Sequence, residues 1–233
     1  FTGEPDYDEL ARRLPLTLEL AFFAILVAHL IAIPAGIFSA LRRNSLMDHG
    51  VRIFAVTGLA IPNFWQGIMI ILLLVTVFDY SIPLGYVSPF EDPWKNFQQL
   101  IFPTLVLGTA LSASVARMTR ASMLETLRED YVRTARAKGL RGSTVVLRHA
   151  LRNSILPVMT LSALQLGALL SGAVVTERVF ALPGLGRYIV DAIFQRDYIV
   201  VQTIVLLFGV VYMVVNLATD LAYAVVDPRI RYK

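Results

Sequence analysis

His29, His49 and His149 are the only histidines among the 233 residues, and the chain has no cysteine. The three histidines lie far apart, and none belongs to a His-Glu-x-x-His run, which would put two imidazoles and a base on one helix face. No serine sits in Gly-x-Ser-x-Gly, and no stretch reads Gly-x4-Gly-Lys-Ser/Thr, so neither a nucleophile elbow nor a phosphate cradle is present. Without thiols, disulfides and thiolate metal sites are excluded as well. The expectation is a chain without a cofactor or catalytic centre of its own. Its informative residues are charges gathered in one loop and polar or small groups set within apolar runs.

The loop is the richest of these features. Residues 117–152 carry nine basic and three acidic side chains, a net of +6 on a chain whose total is +4. The high isoelectric point of about 9.5 therefore belongs to one segment and does not imply nucleic acid. Ser122-Met-Leu-Glu125 reads as a capping box, predicting a helix from there to about Lys138. Gly139 is placed to terminate it in the left-handed conformation, and Arg141-Gly142-Ser143-Thr144 is turn chemistry able to cap a second helix running toward Pro157. Attraction of cations to anionic lipid accounts for the net charge. It does not account for capped helices, or for Glu125, Glu129 and Asp130 kept among the arginines. A folded, mixed-charge element of this kind is a docking surface for a soluble partner.

The rest of the chain must hold that loop in place, and its composition says how. Apolar residues make up 56% and charged ones only 16%, with a mean hydropathy of +0.64. One soluble core of this size could not bury so much apolar surface, which leaves a polytopic membrane protein. Five stretches approach or exceed the ~20 residues that a spanning helix needs: 20–40, 53–78, 100–116, 154–176 and 198–219. None alternates with period two, so the expected class is all-α with five spanning helices and a single transmembrane domain over 1–233. Lysine and arginine dominate alternate connections, which predicts a chain start outside, a C-terminus in the cytoplasm and the basic loop, about 119–153, on the cytoplasmic face.

Within the spans, Pro62 invites a kink beside Asn63 and Gln66, which could line a cavity or bridge helices. Thr104, Gly108, Ser112 and Ala116 form a small-residue ridge at spacing four, as do Ala163, Gly167 and Ser171, with Gln165 nearby. Asn63, Gln66, Gly108, Ser112, Gln165, Gly167 and Ser171 are thus candidates for pathway lining or for helix packing, which these signals do not separate. His29 is the one ionisable group inside a span, and it reads as a packed histidine rather than a proton carrier.

Four runs then carry a resemblance. Asp130-Tyr-Val-Arg-Thr-Ala-Arg-Ala-Lys-Gly-Leu140 is followed by Arg148-His-Ala-Leu-Arg-Asn153 and Leu156-Pro157. Thr176-Glu-Arg-Val-Phe-Ala-Leu-Pro-Gly-Leu-Gly186 leads to Asp197-Tyr198. Leu14-Pro15-Leu16-Thr17-Leu18-Glu19-Leu20 opens the first span, and Asp227-Pro228-Arg229-Ile230-Arg231 lies near the end. Together they resemble, over essentially the whole chain, the permease subunit of dipeptide, oligopeptide and nickel importers of the ATP-binding cassette class.

The resemblance implies a type I importer transmembrane domain in the bacterial inner membrane, moving solute by alternating access. It implies that Tyr131, Arg133, Thr134, Ala135, Arg136, Ala137, Lys138, Gly139 and Leu140 couple to an ATPase subunit, and that Glu177, Phe180, Pro183, Gly184 and Gly186 form an external loop. The broader class pattern has a glutamate where this chain has Arg133 and an alanine where it has Thr134, while Ala135 and Gly139 are retained. The implied partners are two ATPase subunits that hold ATP and magnesium, a second homologous permease, a periplasmic or lipid-anchored solute-binding protein and membrane lipids. Relatives usually carry a further spanning helix ahead of the point where this sequence begins. Two other functions would leave different marks. An intramembrane enzyme would need the nucleophile or metal site that is missing above, and a receptor or scaffold would use the same loop without ATP-driven uptake.

Overall fold

The computed structural model describes residues 7–226, apart from the side chains at 166, 168, 220 and 222–226. The run from Asp227 to Arg231 and the acidic residues Glu4 and Asp6 lie outside the described residues. All regular structure among the described residues is helical: α1 Tyr7–Leu41, α2 Leu46–Ala60, α3 Asn63–Phe78, α4 Pro93–Thr126, α5 Asp130–Ala137, α6 Gly142–Thr144, a π-helix Val145–Ala150, α7 Leu151–Val179, α8 Leu185–Gln195 and α9 Tyr198–Val226. By length and composition three helices can cross a bilayer (α1, α4 and Tyr198–Thr219 of α9), and up to five spans result if α2 with α3, and residues 142–165 with 169–179, each count as one broken span.

The prolines explain where helices break and where they continue. At Pro62 the missing N–H splits the apolar stretch 53–78 into α2 and α3. The Gln66 side chain donates to the Ile61 carbonyl at 3.1 Å, and its own N–H bonds to the Pro62 carbonyl, so the break is capped from within. Pro103 and Pro157 remain inside α4 and α7, which continue through them.

The chain divides into two compact units. The first comprises Phe1–Val27, Ala60–Leu111 and Gly167–Tyr212. Its main core joins Leu16, Leu20 and Ala24 of α1 to Leu100 and Leu107 of α4, Leu169 and Ala173 of α7, and the loop residues Phe180 and Leu182. A second cluster seats Leu185 and Ala192 of α8 against Leu10 of α1 and Val200 and Ile204 of α9. Phe180 and Leu182, between α7 and α8, are thus buried in the first cluster, and Leu185 at the start of α8 is buried in the second.

The second unit comprises Ala28–Leu59, Ser112–Leu166 and Met213–Lys233. Its cores are built from smaller residues. Ala32 meets Val115, Ala116 and Val158, while Ile37 and Ala40 meet Met123 and Ala150. A Cβ added at Gly36 would fall 2.6 Å from the Thr119 Cβ, so α1 and α4 approach almost backbone to backbone here.

One buried ion pair fastens this unit. Asp48, at 0% exposure, receives two hydrogen bonds from the Arg120 guanidinium, at 2.7 and 2.9 Å, one from the Ser39 hydroxyl at 2.6 Å and one from the Asn44 N–H at 3.0 Å. All three segments that meet at this carboxylate are held by charge-assisted bonds with little water to compete.

Candidate coupling element

The basic loop folds differently from its sequence signature at one point. α4 continues to Thr126, so Ser122 is a helix-interior residue and not an N-cap. Its buried hydroxyl donates instead to the Ser154 carbonyl of α7 at 2.9 Å. Tertiary packing of Met123 against Ile37, Ala40 and Ala150 extends the helix past the capping-box pattern. The separate helix, α5, starts only at Asp130, with Glu129 as N-cap and no side-chain cap bond. The second expected cap is also absent: α6 begins at Gly142, ahead of Ser143 and Thr144, with Arg141 as an N-cap that makes no side-chain bond. α6 passes directly into the π-helix, which is closed by the Leu151 N–H on the Val146 carbonyl, a wider winding often found at functional sites.

The end of α5 matches its sequence. Gly139 has φ +76°, a conformation that costs side-chain-bearing residues about 1 kcal/mol or more. Its N–H bonds to the Arg136 carbonyl at 3.0 Å and the Leu140 N–H to the Ala135 carbonyl at 3.4 Å, which is the paired closure of a Schellman motif. Asp130 in the first turn and Arg136 in the last complement the helix dipole.

The apolar face of α5 is used internally. Val132 and Ala135 pack on Val145, with Leu127 beside them. Ala135 is 6% exposed and therefore belongs to the element's own core, not to its outward surface. Tyr131 ties α5 to the π-helix and the start of α7: its hydroxyl accepts from the Asn153 amide at 2.7 Å and donates to the His149 carbonyl at a long 3.4 Å. Arg133, Thr134, Arg136, Ala137, Lys138, Gly139 and Leu140 are all exposed. Arg136 also borders a cleft of about 660 Å³ whose walls include Ile37, Phe38, Val146 and Leu147.

The loop 177–187 has the opposite character. Glu177 is fully buried. Thr17 donates its hydroxyl to Glu177 Oε1 at 2.7 Å and accepts the Leu185 N–H at 2.9 Å, while Glu177 Oε2 accepts the Arg187 N–H at 3.0 Å. The carboxylate thus caps the start of α8 and pins it to α1. Gly184 and Gly186 are required because a Cβ at either would press on that carboxylate, and at Gly186 also on the Val174 backbone. Phe180 is buried against Gly67 in the first unit's core, and Pro183, half-buried, precedes the Gly184 cap. Two of the four runs that carry the family resemblance are therefore the two halves of one contact. Glu19 from the first of them receives hydrogen bonds from the Tyr86 hydroxyl at 2.8 Å and the Asn96 amide at 3.3 Å. Burial first, and then the Glu19 carboxylate, push the Tyr86 phenol above its ordinary range.

The candidate pathway residues are engaged in different ways. Gln66 is occupied at the Pro62 break, with Thr109 donating to its Oε1 at a weak 3.4 Å. Asn63 lies beside Gly172, where an added Cβ would be 3.3 Å from its amide nitrogen. Gly108 lets Val27 and the Ala24 carbonyl of α1 approach closely. Ser112 is buried, Ser171 is exposed with its hydroxyl on the Gly167 carbonyl, a Cβ added at Gly167 would lie 3.8 Å from the Tyr212 ring, and among the described residues the buried Gln165 Oε1 has no hydrogen-bond partner. His29 is hydrogen-bonded to Ser162 at 2.8 Å, as a packed histidine would be. No cluster of three metal-ligating side chains occurs among the described residues.

Helices long and apolar enough to cross a bilayer, joined through one charged element with its own small core, are the make-up of a polytopic membrane protein. The chain belongs to the family of binding-protein-dependent transport system inner membrane components, whose model matches residues 32–232. It is 43% identical over 98% of its length to the dipeptide transport system permease protein of Escherichia coli strain K12, covering 74% of that protein. It is 44% identical over 98% of its length to the glutathione transport system permease protein of the same strain, covering 72%. A structure of the MetNI methionine ABC transporter in an inward-facing conformation matches 94% of this chain and 96% of that one, with a TM-score of 0.71 at 19% identity. The fold is that of a type I ABC importer transmembrane domain. The protein is thus a multi-pass inner-membrane permease subunit of an ABC importer, a transport component and not an enzyme.

Proposed function

We propose that this permease carries short peptides inward and that ATPase subunits drive it through α5 and the turn after it. The reading of the cargo is supported by relatives named for a dipeptide and for glutathione, both compact peptides with charged ends. The observation that carries the mechanism is the exposed polar face of α5 on an element held by its own buried core and by Tyr131. Force applied to such an element reaches α4 through Leu127 and α7 through the π-helix and Asn153, instead of bending a loop. Two ATPase subunits would supply ATP and magnesium. A second homologous permease would complete the pathway, and a periplasmic or lipid-anchored binding protein would deliver the peptide at the opposite face. In this reading the chain start is outside and the C-terminus cytoplasmic.

The test is uptake of labelled dipeptide by proteoliposomes that contain the assembled importer and its loaded binding protein. ATP-dependent uptake that disappears in Gly139→Pro, while ATP hydrolysis continues, supports the reading. Unchanged uptake in that variant removes the coupling role, and uptake of other solutes but not peptides removes the cargo assignment.

A further inference from the structure

We infer that the groove receiving α5 is acidic at its rim and closely fitted at its centre, so that this permease docks through a basic surface on carboxylates of its ATPase partner. The inference rests on the docking proposed above and specifies the chemistry of that contact. Between residues 128 and 141 the chain presents five cations, Arg128, Arg133, Arg136, Lys138 and Arg141, against the two anions Glu129 and Asp130, all of them exposed. The pairing among them is weak. Arg133 and Asp130 meet at 3.5 Å with side chains 71% and 96% exposed, and among the described residues Arg128, Lys138 and Arg141 form no ion pair. A net charge of three is thus left unneutralised on a short element whose backbone is fixed at its C-terminal end by the closure at Gly139. The middle of the outward face is low, because Thr134 folds its hydroxyl back onto the Asp130 carbonyl at 2.9 Å and Ala137 lies one turn further on. Small residues flanked by long cations suit a groove that takes close backbone approach and carries acids along its edge.

An anionic membrane surface would also attract these cations. A helix that lies on lipid, however, turns an apolar face into the acyl boundary. Here Val132 and Ala135 are already covered by Val145, and the face left outward is polar and of mixed sign. A second copy of this chain would bring like charges together. A protein groove of opposite sign fits both the charge and the shape.

The experiment uses the whole importer in detergent and in nanodiscs of defined lipid. Wild-type association of the ATPase subunits with the permease pair should weaken as salt rises. The variant Arg133→Glu/Lys138→Glu/Arg141→Glu should weaken it by about tenfold or more, and the corresponding Gln variant by less. Exchanging groove carboxylates of the ATPase for lysine should restore the Glu variant. Salt-independent association, or wild-type association of the Glu variant, overturns the inference. A defect seen only in nanodiscs containing anionic lipid, and absent in detergent, assigns the surface to lipid and likewise overturns it. Since the chain has no cysteine, Ala137→Cys gives a single crosslinking position. If that position never reaches the ATPase in an otherwise wild-type importer, it is the docking site itself that fails.

Discussion

The loop 177–187 and the element 127–150 are built from similar material, arginines and acids around glycine turns, yet they use it in opposite ways. In the first, Glu177, Thr17 and the N–H groups of α8 satisfy one another, and Phe180 is sunk into the core. In the second, Val132 and Ala135 pack on Val145 and Tyr131 is bonded to Asn153, while the charged side chains between 128 and 141 are exposed. A polar group with a buried partner contributes to the fold, whereas one without a partner, on a rigid support, is available to another molecule. Mutations should therefore separate the two regions cleanly. Stability falls when the first is altered, and energy coupling fails when the second is altered.

The largest effect is expected away from both, at the Asp48 carboxylate. Arg120→Ala leaves a buried charge uncompensated, a loss of about 3–5 kcal/mol. The assembled importer should melt well below the wild type, and Asp48→Asn/Arg120→Gln should recover part of the difference. Next comes Glu177→Leu, which strands the Thr17 hydroxyl and the Arg187 N–H and costs about 2–4 kcal/mol. Thermal unfolding and membrane yield should both fall, with no change in the ATP hydrolysed per peptide carried by the protein that remains. Equal stability of Glu177→Leu and wild type would show that the 177–187 network is not structural.

In the element 127–150 the stability effects are smaller and the functional ones larger. Gly139→Ala places a side chain at φ +76° and costs about 1 kcal/mol. Its signature should be more ATP hydrolysed per peptide. Tyr131→Phe removes both bonds of the hydroxyl, about 0.5–1 kcal/mol for groups this exposed. Arg133→Gln should alter melting by less than about 0.5 kcal/mol, since the side chain has only its weak contact with Asp130 to lose. If Arg133→Gln destabilised the importer as much as Glu177→Leu, the division between internal and outward polar groups would not hold.

The helical class was legible because apolar stretches of spanning length are self-announcing. Gly139 was legible because a left-handed position at the end of a charged helix selects glycine. The capping box at Ser122 misled, because the same four residues can continue a helix when Met123 finds a buried seat. The Pro62 break could be anticipated, but not that Gln66 would cap it. The π-helix has no periodic signature at six residues. Neither the Asp48–Arg120 pair, 72 residues apart, nor the Thr17–Glu177 bond, 160 apart, leaves a local pattern. The motifs around Thr17 and Glu177 each stood out, but their common purpose appears only when the chain brings them together.

The most direct measurement of the central claim is the position of Ala137 during turnover. An importer with Ala137→Cys in the permease and one cysteine in the ATPase groove should crosslink efficiently, and the crosslink should abolish peptide uptake until it is reduced. An Ala137→Cys importer that crosslinks to no ATPase position, or one that carries peptide at the wild-type rate while crosslinked, would contradict the account.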